Sequence, residues 1–503
     1  MTPPFVDDAG RPAADVLAEL RRRRAQDLSL DRVTAYHFEP HRPELRRLAL
    51  AAAELAWGVS SLNPVAFPSV ADVENDLVAT TAAWHGGGPS TVGTVTSGGT
   101  ESCLLAVLGA RERWRSLHGS ASRQPLLVLP VTAHPAFRKA AHLFGLQVAD
   151  VPVDPQTFAP DPAEVERLVA RDGGRRAALV VVSAPEYAHG TIDPVPAVAA
   201  IAARHGVPCH LDLCIGGFVV PFVREAEGLP PIGLSTPGVT SLSADLHKYG
   251  FAPKGVSVLL HADDALRRHH WFADASWPGY PLVNPTLLSS RPAAPAAAAW
   301  AVLAHLGRDG VRALALRSRE AALALAAGVE AIDGLRVVTP PQATLVAITD
   351  TGDPAGPDVY TVVDELTARG WDVQAQPARH GSPPTAHVTM TPGVADQLDD
   401  LLAALADATV AAAARGRAAP DPRLGAAASA LAMQGTRPAD LDDATIGSLL
   451  AAAGIGAPTA TGDGGAGLPE RMAELNALLD RLPPPLVERL LVALLGGILT
   501  PRR

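Results

Sequence analysis

The stretch at residues 241–255 reads Ser-Leu-Ser-Ala-Asp-Leu-His-Lys-Tyr-Gly-Phe-Ala-Pro-Lys-Gly. It begins with a short apolar run, continues with the pair His247 and Lys248, and holds a second lysine, Lys254, between a proline and a glycine. An amine among apolar residues is poorly solvated, so its neutral form becomes more accessible as a nucleophile. The pattern therefore predicts that Lys248 reacts covalently and is not an ordinary surface lysine.

A second informative stretch lies upstream at residues 209–222, Cys-His-Leu-Asp-Leu-Cys-Ile-Gly-Gly-Phe-Val-Val-Pro-Phe. It places Asp212 inside an apolar run, and carboxylates are seldom buried without a partner. The plainer alternative is a strand-end carboxylate that caps the turn before Gly216. A lysine that reacts with an aldehyde and a buried carboxylate that holds a pyridinium nitrogen are the two protein groups that pyridoxal phosphate requires. The two stretches together predict a pyridoxal-phosphate enzyme.

The composition predicts a soluble globular α/β protein. The 503 residues are apolar and rich in alanine, and the net charge of −10 argues against a nucleic-acid partner. The cysteines Cys103, Cys209 and Cys214 are a sparse, odd-numbered set without metal-ligand spacing. They favour a reducing cytoplasm and no bound metal. The chain starts without a secretory signal pattern and has no run suited to a membrane span, so we expect a cytoplasmic protein.

Four regions follow from the order of apolar and helical runs. Residues 1–62 predict an N-terminal helical arm without a core of its own. Residues 63–305 alternate short apolar runs with helical ones, which is typical of a large domain built on a mainly parallel sheet. Residues 306–415 repeat this alternation on a smaller scale and predict a small α+β domain. Residues 416–503 predict a helical extension that contains a linker rich in glycine and alanine at 454–467.

Polar groups fall at the predicted carboxyl ends of the strands, where ligands collect in parallel sheets. Residues 97–100, Ser-Gly-Gly-Thr, form a turn that opens a helix and exposes backbone N–H groups to an anion, although serine and threonine are also ordinary helix caps. His134 is either a helix-start histidine bonded to nearby backbone or an imidazole stacked on a cofactor ring. Two other pairs of candidates, with solvent exposure as the plainer interpretation, are Tyr36 with His37 and Arg379 with His380.

Six motifs, considered together, resemble the sphingosine-1-phosphate lyase branch of the pyridoxal-phosphate-dependent decarboxylase family. The motifs are Thr-Ser-Gly-Gly-Thr-Glu-Ser at 96–102, His-Pro-Ala-Phe-Arg-Lys-Ala-Ala at 134–141, Ala-Pro-Glu-Tyr-Ala-His-Gly-Thr-Ile-Asp at 184–193, Leu-Asp-Leu-Cys-Ile-Gly-Gly-Phe at 211–218, Asp-Leu-His-Lys-Tyr-Gly-Phe-Ala-Pro-Lys-Gly at 245–255, and Trp-Pro-Gly-Tyr-Pro-Leu-Val-Asn-Pro-Thr-Leu-Leu-Ser-Ser-Arg at 277–291. Several motifs in order are more specific than any one of them. The resemblance implies the aspartate-aminotransferase-like fold type I, with a seven-stranded, mainly parallel sheet in the large domain and a small C-terminal α+β domain.

The resemblance also implies roles for individual residues. Lys248 would form the internal aldimine with pyridoxal 5'-phosphate, Asp212 would pair with the pyridine nitrogen, and His134 would stack on the ring. The residues implied to hold the cofactor's phosphate are Ser97, Gly98, Gly99, Thr100 and His247, with the partner subunit's Ser290 reaching in across a homodimer with shared active sites. His189 would lie near the reacting carbons. The residues implied on the substrate side are Lys254, which would face an anionic end, Asn63, Tyr36 and Arg291.

The implied reaction is a retro-aldol cleavage of a β-hydroxy amine or phosphorylated amino alcohol. Two alternatives stay open, an amino-acid decarboxylase and a non-catalytic homologue. Residues on the substrate side depart from the lyase pattern, because residues 63–68 read Asn-Pro-Val-Ala-Phe-Pro without the usual histidine, and residues 289–291 read Ser-Ser-Arg where Gly-Ser-Arg is usual. We therefore expect a lyase-like enzyme whose small-molecule amine substrate differs from sphingosine 1-phosphate.

Overall fold

The computed structural model describes residues 9–25, 27–38, 40–119, 124–419, 442–452 and 471–499. The helices are α1 (Ala13–Arg24), α2 (Pro43–Leu55), α3 (Pro68–Trp84), α4 (Gly99–His118), α5 (Pro135–Phe144), α6 (Pro162–Val169), α7 (Val195–Arg204), α8 (Val220–Ala226), α9 (Asp264–Arg267), α10 (Ala294–Glu330), α11 (Val359–Ala368), α12 (Pro392–Ala395), α13 (Leu398–Arg415), α14 (Asp443–Ala452), α15 (Ala473–Arg481) and α16 (Pro484–Ile498). The strands are β1 (Val92–Thr96), β2 (Leu126–Pro130), β3 (Gln147–Val151), β4 (Ala177–Ser183), β5 (Cys209–Asp212), β6 (Val239–Ala244), β7 (Ser257–His261), β8 (Phe272–Asp274), β9 (Leu282–Asn284), β10 (Leu335–Val337), β11 (Leu345–Asp350), β12 (Gln374–Gln376) and β13 (Thr385–Thr389). The predicted linker at 454–467 lies outside the described residues.

The larger sheet has seven strands in the order β1-β7-β6-β5-β4-β2-β3. Strand β7 is antiparallel to both β1 and β6, whereas the neighbours from β6 to β3 pair in parallel. Every strand other than β7 therefore runs in the same direction. The prediction of a seven-stranded, mainly parallel sheet is confirmed.

Helices cover both faces of this sheet, so its central strands are buried on both sides. In β4, Val180 and Val182 belong to one apolar core, while Leu179 and Val181 belong to the core on the opposite face. Successive side chains of a strand point to opposite faces, and a strand covered on both faces is apolar throughout. This is why the central strands appear in the sequence as continuous apolar runs.

The smaller sheet has four antiparallel strands in the order β10-β11-β13-β12. The long helix α10 joins the two sheets, and its regular geometry is interrupted at Gly307, where φ is 61°. Residues on both sides of Gly307, such as Val302 and Val311, pack into the core of the larger sheet, whereas Leu325 and Val329 pack into that of the smaller one. The predicted small α+β region is therefore present.

The two ends of the chain attach to the smaller sheet. In the N-terminal arm, the Thr34 N–H donates to the Asp372 carbonyl over 3.0 Å, and the Thr389 N–H donates to the Thr34 carbonyl over 2.6 Å. At the other end, the carboxylate of Asp364 in α11 accepts the N–H of Met472. Among the described residues, no helix has the length and apolar character needed to cross a membrane.

Candidate active site

A cavity of about 640 Å³ lies at the edge of the larger sheet where β1, β4, β5 and β6 end. The residues that line it include several of the predicted site residues: Tyr36, Ser97, Gly98, Gly99, Thr100, His134, Asp212, His247, Lys248 and Lys254. These strands all present their carboxyl ends to the cavity, which is where ligands bind in sheets of this kind. Residues that are up to 218 positions apart in sequence contact one another here.

The glycine turn between β1 and α4 forms one wall of the cavity. Gly98 has φ 148° and ψ 170°, which a residue with a side chain rarely adopts, so the turn depends on glycine at this position. The first turn of α4 then starts at Gly99, and residues 97–100 all line the cavity. Because the N-terminal end of a helix carries a partial positive charge and unpaired N–H groups, this wall suits an anion such as a phosphate.

Lys248 and Asp245 form an ion pair inside the cavity. The distance between Lys248 Nζ and Asp245 Oδ2 is 3.1 Å, and the Asp245 side chain is buried. Burial by itself would lower the pKa of Lys248, but the carboxylates of Asp245 and Asp212 outweigh burial and raise that pKa above its usual range. The two carboxylates therefore favour the ammonium form of Lys248.

Asp212 ends strand β5 and is held by its own chain and by the next strand. Its Oδ1 accepts hydrogen bonds from the Cys214 N–H over 2.9 Å and from Ser243 Oγ over 3.4 Å. The alternative of a carboxylate that caps the following turn is thus present in the geometry. Both bonds go to Oδ1, however, and the side chain still lines the cavity, so Oδ2 can receive a hydrogen bond from a bound molecule.

His134 has the first of the two roles that the sequence left open, and its position keeps the second available. It caps helix α5, because its Nδ1 accepts a hydrogen bond from the Ala136 N–H over 3.2 Å, and this assigns the ring proton to Nε2. The ring also lines the cavity. The surrounding protein lowers the pKa of His134, chiefly by desolvation, although the cavity side of the ring is open to solvent. The neutral ring is flat and fixed at its base, which suits stacking on a planar molecule.

The mouth of the cavity is formed by the N-terminal arm and the segments around β12. Lys254 Nζ donates to the Tyr36 carbonyl over 2.9 Å and lies 5.0 Å from the centre of the Phe38 ring. Desolvation lowers the pKa of Lys254 to about 8. Opposite, Tyr187 Oη donates to Gln374 Oε1 over 2.7 Å, and both residues line the cavity. A cationic group thus stands at the entrance.

His189 lies beside the cavity and is not among the residues that line it. Its ring stacks on Phe158 with 3.8 Å between centroids, and its Nε2 is 2.9 Å from Ser382 Oγ. Its neighbour Glu186 does line the cavity, and Glu186 Oε1 accepts the backbone N–H of His189 over 2.7 Å. His189 therefore does not line the cavity itself but contacts Glu186, which does.

Three other predicted residues lie away from this cavity in the single chain. Asn63 Oδ1 accepts the N–H groups of Val65 and Ala66 in an exposed loop. Arg291 is buried and forms an ion pair with Glu74. Ser290 precedes it and is exposed. For Arg379 and His380, the structure separates the pair: His380 is exposed, whereas Arg379 is half-buried and donates to the Leu479 carbonyl over 2.8 Å.

Several residues of the cavity have no role predicted from the sequence. The most prominent is Asp245, which stands three positions before Lys248 in the stretch at 241–255. Its position on the lysine-bearing loop was a usable signal, since a carboxylate there can reach the lysine. Glu186, Tyr187 and Gln374 carry no such signal, because their position depends on how the smaller sheet meets the larger one.

Cys103, Asp212 and Cys214 bring three potential metal-ligand atoms within 4.8 Å of one another. The hydrogen bond with Cys103 and burial together raise the pKa of the Cys214 thiol well above its usual value. For Cys103, the hydrogen bond from Cys214 lowers the pKa, but burial and the carboxylates of Asp212 and Asp245 together outweigh that bond and raise it. Both thiols are therefore held in their protonated form beside the Asp212 carboxylate.

The lining fits pyridoxal phosphate on chemical grounds. A lysine, a buried carboxylate, a flat neutral imidazole and a glycine turn at a helix N-terminus are the groups that its aldehyde, ring nitrogen, ring face and phosphate need. All four border one cavity that is large enough for a small cofactor and part of a substrate.

Comparisons with known proteins agree with this chemistry. The family model described as "Pyridoxal-dependent decarboxylase conserved domain" matches residues 70–349. A second model, described as "Pyridoxal-dependent enzyme, C-terminal putative HTH domain", matches residues 422–497.

The relatives include both lyases and a decarboxylase. The chain is 35% identical to sphingosine-1-phosphate lyase 1 of Rattus norvegicus over 370 residues, which are 72% of this chain and 62% of that protein. It is 31% identical over 320 residues to the probable L-tyrosine/L-aspartate decarboxylase of Methanothermobacter thermautotrophicus, covering 62% of this chain and 81% of that protein. The solved structure of a Burkholderia pseudomallei sphingosine-1-phosphate lyase matches with a TM-score of 0.75 and 34% identity, covering 82% of this chain and 94% of that one. The chain thus spans less than two thirds of the length of the rat relative.

Proposed function

The chain belongs to the pyridoxal-dependent decarboxylase family, and from that premise we propose that it is a lyase that cleaves the Cα–Cβ bond of a β-hydroxy amine. The observation that carries the proposal is that Lys248, Asp212 and His134 border one cavity beside the N-terminus of α4. Pyridoxal phosphate is the cofactor, and when bound it supplies an electron sink for the bond that breaks. Everything else in the reaction depends on groups of this chain.

The proposed roles follow from the geometry of each group. Lys248 would hold the cofactor covalently through Nζ, and Asp212 would hold a proton at the ring nitrogen through its available oxygen. His134 would orient the cofactor ring, since its own Nδ1 is fixed by the backbone of α5. The residues proposed to bind the phosphate are Ser97, Gly98, Gly99, Thr100 and His247. Because the four strand ends are rigid, these groups are held in place before a substrate enters.

Lys254 is the proposed anchor for an anionic end of the substrate. It stands at the mouth with the Tyr36 carbonyl on one side and the Phe38 ring on the other. A phosphate or carboxylate that enters the cavity would find the ammonium group there. His189, one residue behind the cavity wall, is the proposed neighbour of the reacting carbons.

We further propose a cytoplasmic homodimer with shared active sites. Large apolar side chains stay exposed on and after the β8–β9 hairpin: Phe272, Trp277, Tyr280, Val283, Leu287 and Leu288. Exposed apolar surface of this extent is typical of an interface. The proposed active-site contribution of the partner subunit's Ser290, with Asn63 and Arg291 nearby, fits the position of Ser290 directly after this segment. Sedimentation velocity on the purified protein tests the dimer, and a monomer at micromolar concentration would contradict it.

We propose that the chain has four regions: an arm (1–62), a cofactor-binding domain (63–305), a small domain (306–415) and a helical extension (416–503). The second boundary lies close to the interruption of α10 at Gly307, although residues just beyond it, such as Val311, still pack into the core of the larger sheet. Limited proteolysis would test the others, since boundaries between domains are cleaved more readily than their cores.

A decarboxylase is the second candidate, and two observations favour it. The relative from Methanothermobacter thermautotrophicus is named as a decarboxylase and shares 31% identity over 320 residues. In addition, the loop at 63–68 lacks the histidine that is usual in the lyases. A decarboxylase would release carbon dioxide from an amino acid, whereas the proposed lyase would release an aldehyde, so product analysis separates the two.

The test begins with the cofactor. The protein mixed with pyridoxal phosphate should develop the visible absorption band of a lysine–cofactor linkage, and the substitution Lys248→Ala should abolish the band. The matched control is Lys139→Ala, which removes an exposed lysine on α5 and should leave the band unchanged.

Aldehyde and carbon dioxide are then assayed with phosphorylated amino alcohols and with amino acids. Efficient cleavage of a phosphorylated long-chain amino alcohol would contradict the altered specificity, and no product from any amine would favour a non-catalytic homologue.

A further inference from the structure

The carboxylate of Asp245 has no assigned role, although it is the group in direct contact with Lys248. Asp245 follows strand β6, its side chain is buried, and its Oδ2 lies 3.1 Å from Lys248 Nζ. Its other oxygen, Oδ1, has no hydrogen-bond partner in the part of the chain that the structure describes. A buried carboxylate oxygen without a partner is costly, so a functional reason is expected.

His247 provides a second contact to the same carboxylate. The Val256 N–H points to His247 Nδ1 over 3.4 Å, which makes Nδ1 the acceptor and leaves the ring proton on Nε2. His247 Nε2 lies 3.5 Å from Asp245 Oδ2, on the same side as Lys248. The loop thus directs two N–H donors at one oxygen while the second oxygen stays available.

Asp245 also lies against the glycine turn that is proposed to bind a phosphate. A methyl group at position 99 would lie 2.6 Å from Asp245 Oδ2 and 2.8 Å from Oδ1, so only glycine lets the turn approach this closely. An ionised carboxylate next to a bound phosphate would be repelled, because like charges at short range favour protonation of one of them. A phosphate bound at the turn would therefore lie beside the Asp245 carboxylate.

We propose that Asp245 accepts the proton that Lys248 must lose to become a nucleophile and holds it while Lys248 is covalently attached. In this step an N–H bond of the ammonium breaks and its electron pair stays on Nζ as the lone pair. An oxygen of Asp245 forms the new O–H bond, so a −1/+1 pair becomes two neutral groups with no change in net charge. The reverse transfer returns the proton when Lys248 is released.

The inference rests on the proposed function in that Lys248 is the attachment residue, but it is tested on cofactor-free protein without any turnover. The chain has three lysines, Lys139, Lys248 and Lys254, so the acetylation of each by acetic anhydride can be followed by peptide mass spectrometry. Only the neutral amine reacts, and the pH dependence of acetylation therefore reports each protonation equilibrium. The exposed Lys139 is the internal reference.

In the wild-type protein, the pH of half-maximal acetylation should be higher for Lys248 than for Lys139. The substitution Asp245→Asn removes the proton acceptor and leaves the burial, so the midpoint for Lys248 should fall below that of Lys139. Acetylation at pH 8 should rise about tenfold for each pH unit by which the midpoint falls. The matched control, Asp399→Asn in the exposed first turn of α13, should leave all midpoints unchanged.

An unchanged midpoint in folded Asp245→Asn protein would overturn the proposal. If that variant fails to fold, the wild-type profile decides, because a Lys248 midpoint below that of Lys139 would show that the ammonium group is not paired with Asp245, and the proposed transfer needs that pair. Failure of the proposed function gives a different result, namely no visible band with pyridoxal phosphate while the acetylation profile stays as described.

Discussion

Tyr36 Oη donates a hydrogen bond to Asp372 Oδ2 over 2.6 Å, and this bond joins the N-terminal arm to the segment before β12 at the mouth of the cavity. The backbone of the same arm residue accepts the hydrogen bond from Lys254. Tyr36 therefore links the smaller sheet to the cationic group that is proposed to meet the substrate. Desolvation and the Asp372 carboxylate raise the pKa of Tyr36 to about 12, so the hydroxyl remains a donor at physiological pH.

The substitution Tyr36→Phe should weaken substrate binding and leave cofactor binding intact. It removes one hydrogen bond to a carboxylate at a partly exposed site, which is worth about 1 kcal/mol, or a fivefold rise in KM. Steady-state kinetics give KM, and the visible band gives cofactor occupancy. A loss of the band with no change in KM would show that the arm serves the cofactor pocket instead.

Because Lys254 titrates, we expect the binding of an anionic substrate to depend on pH. Its pKa of about 8 means that the ammonium form, which attracts an anion, is present below pH 8 and is lost as the pH rises through that value. The KM for an anionic substrate should therefore rise about tenfold per pH unit above pH 8.

Two comparisons test the role of Lys254. The substitution Lys254→Gln should raise KM at pH 7 and remove its dependence on pH between 7 and 9. A substrate analogue without the anionic group is the matched control and should show no such dependence in either protein. The same pH profile in wild type and variant would exclude Lys254 as the titrating group.

The sequence predicts the larger sheet well because its central strands are buried on both faces. The apolar runs at 126–131 and 178–183 correspond to β2 and β4, with ends that agree within one residue. Strand β1 was missed as a strand, since Val-Gly-Thr-Val-Thr has little apolar character. It pairs with β7, whose residues lie about 165 positions later, and local sequence does not encode that pairing.

The residues of the site also differ in how well the sequence predicts them: positions set by local sequence are predicted, and contacts between distant segments are not. The positions of Lys248, Asp212 and His134 at the cavity could be predicted because Asp212 ends β5, Lys248 lies shortly after β6 and His134 directly precedes α5, and the sheet brings these ends together. The bond between Tyr36 and Asp372 could not, because it joins residues 336 positions apart through the arm and the smaller sheet. The capping bond of His134 confirms the helix-start interpretation, while stacking on a cofactor ring stays a prediction.

Gly99→Ala should weaken cofactor binding. The added methyl group would lie 2.6 Å from Asp245 Oδ2, so the carboxylate must move and its contact with Lys248 must lengthen. We expect a rise in the dissociation constant of pyridoxal phosphate of about tenfold or more, which corresponds to at least about 1.4 kcal/mol. Titration of the visible band measures it. Gly58→Ala, where the methyl group would meet nothing within 4 Å, is the control and should bind normally.

Because His210 is buried, we expect the free energy of unfolding to fall as the solution is made acidic. It is fully buried on β5, its Nδ1 is 2.9 Å from Ser241 Oγ, and desolvation lowers its pKa to about 4. In the unfolded chain the pKa is about 6.5. As the pH falls below 6.5, the unfolded chain takes up a proton that the folded protein does not, so the stability that is fully present above pH 6.5 is lost progressively down to pH 4.

Urea unfolding between pH 7.5 and 4 measures this loss. The substitution His210→Asn should lower stability at pH 7.5 and make the decline toward pH 4 shallower by up to about 3 kcal/mol. His305→Asn changes an exposed histidine on α10 and should reproduce the wild-type slope. Equal slopes in His210→Asn and wild type would assign the acid sensitivity to other buried histidines.

The contacts of Asp480 indicate that the C-terminal helices position the loop at residues 377–384, behind the cavity. Its Oδ1 accepts the Ala378 N–H over 2.9 Å, and its Oδ2 accepts the Tyr360 hydroxyl over 2.7 Å. The same loop carries Ser382, whose hydroxyl is 2.9 Å from His189 Nε2. The substitution Asp480→Ala should release the loop, because the partly buried Ala378 N–H loses its acceptor and the Tyr360 hydroxyl keeps only the Gln376 carbonyl at 3.4 Å.

We expect faster hydrogen exchange in residues 377–384 of the Asp480→Ala protein. We also expect kcat to fall by about threefold or more, because the loop holds His189, which contacts the cavity-lining Glu186. The visible band should stay unchanged. Glu488→Gln, an exposed position on α16, is the control from the same extension. Unaltered exchange in residues 377–384 would show that the loop holds its conformation without Asp480. A fall in kcat accompanied by loss of the band would instead mean that the substitution disturbs the cofactor pocket, because a role confined to the loop leaves Lys248 and its attachment intact.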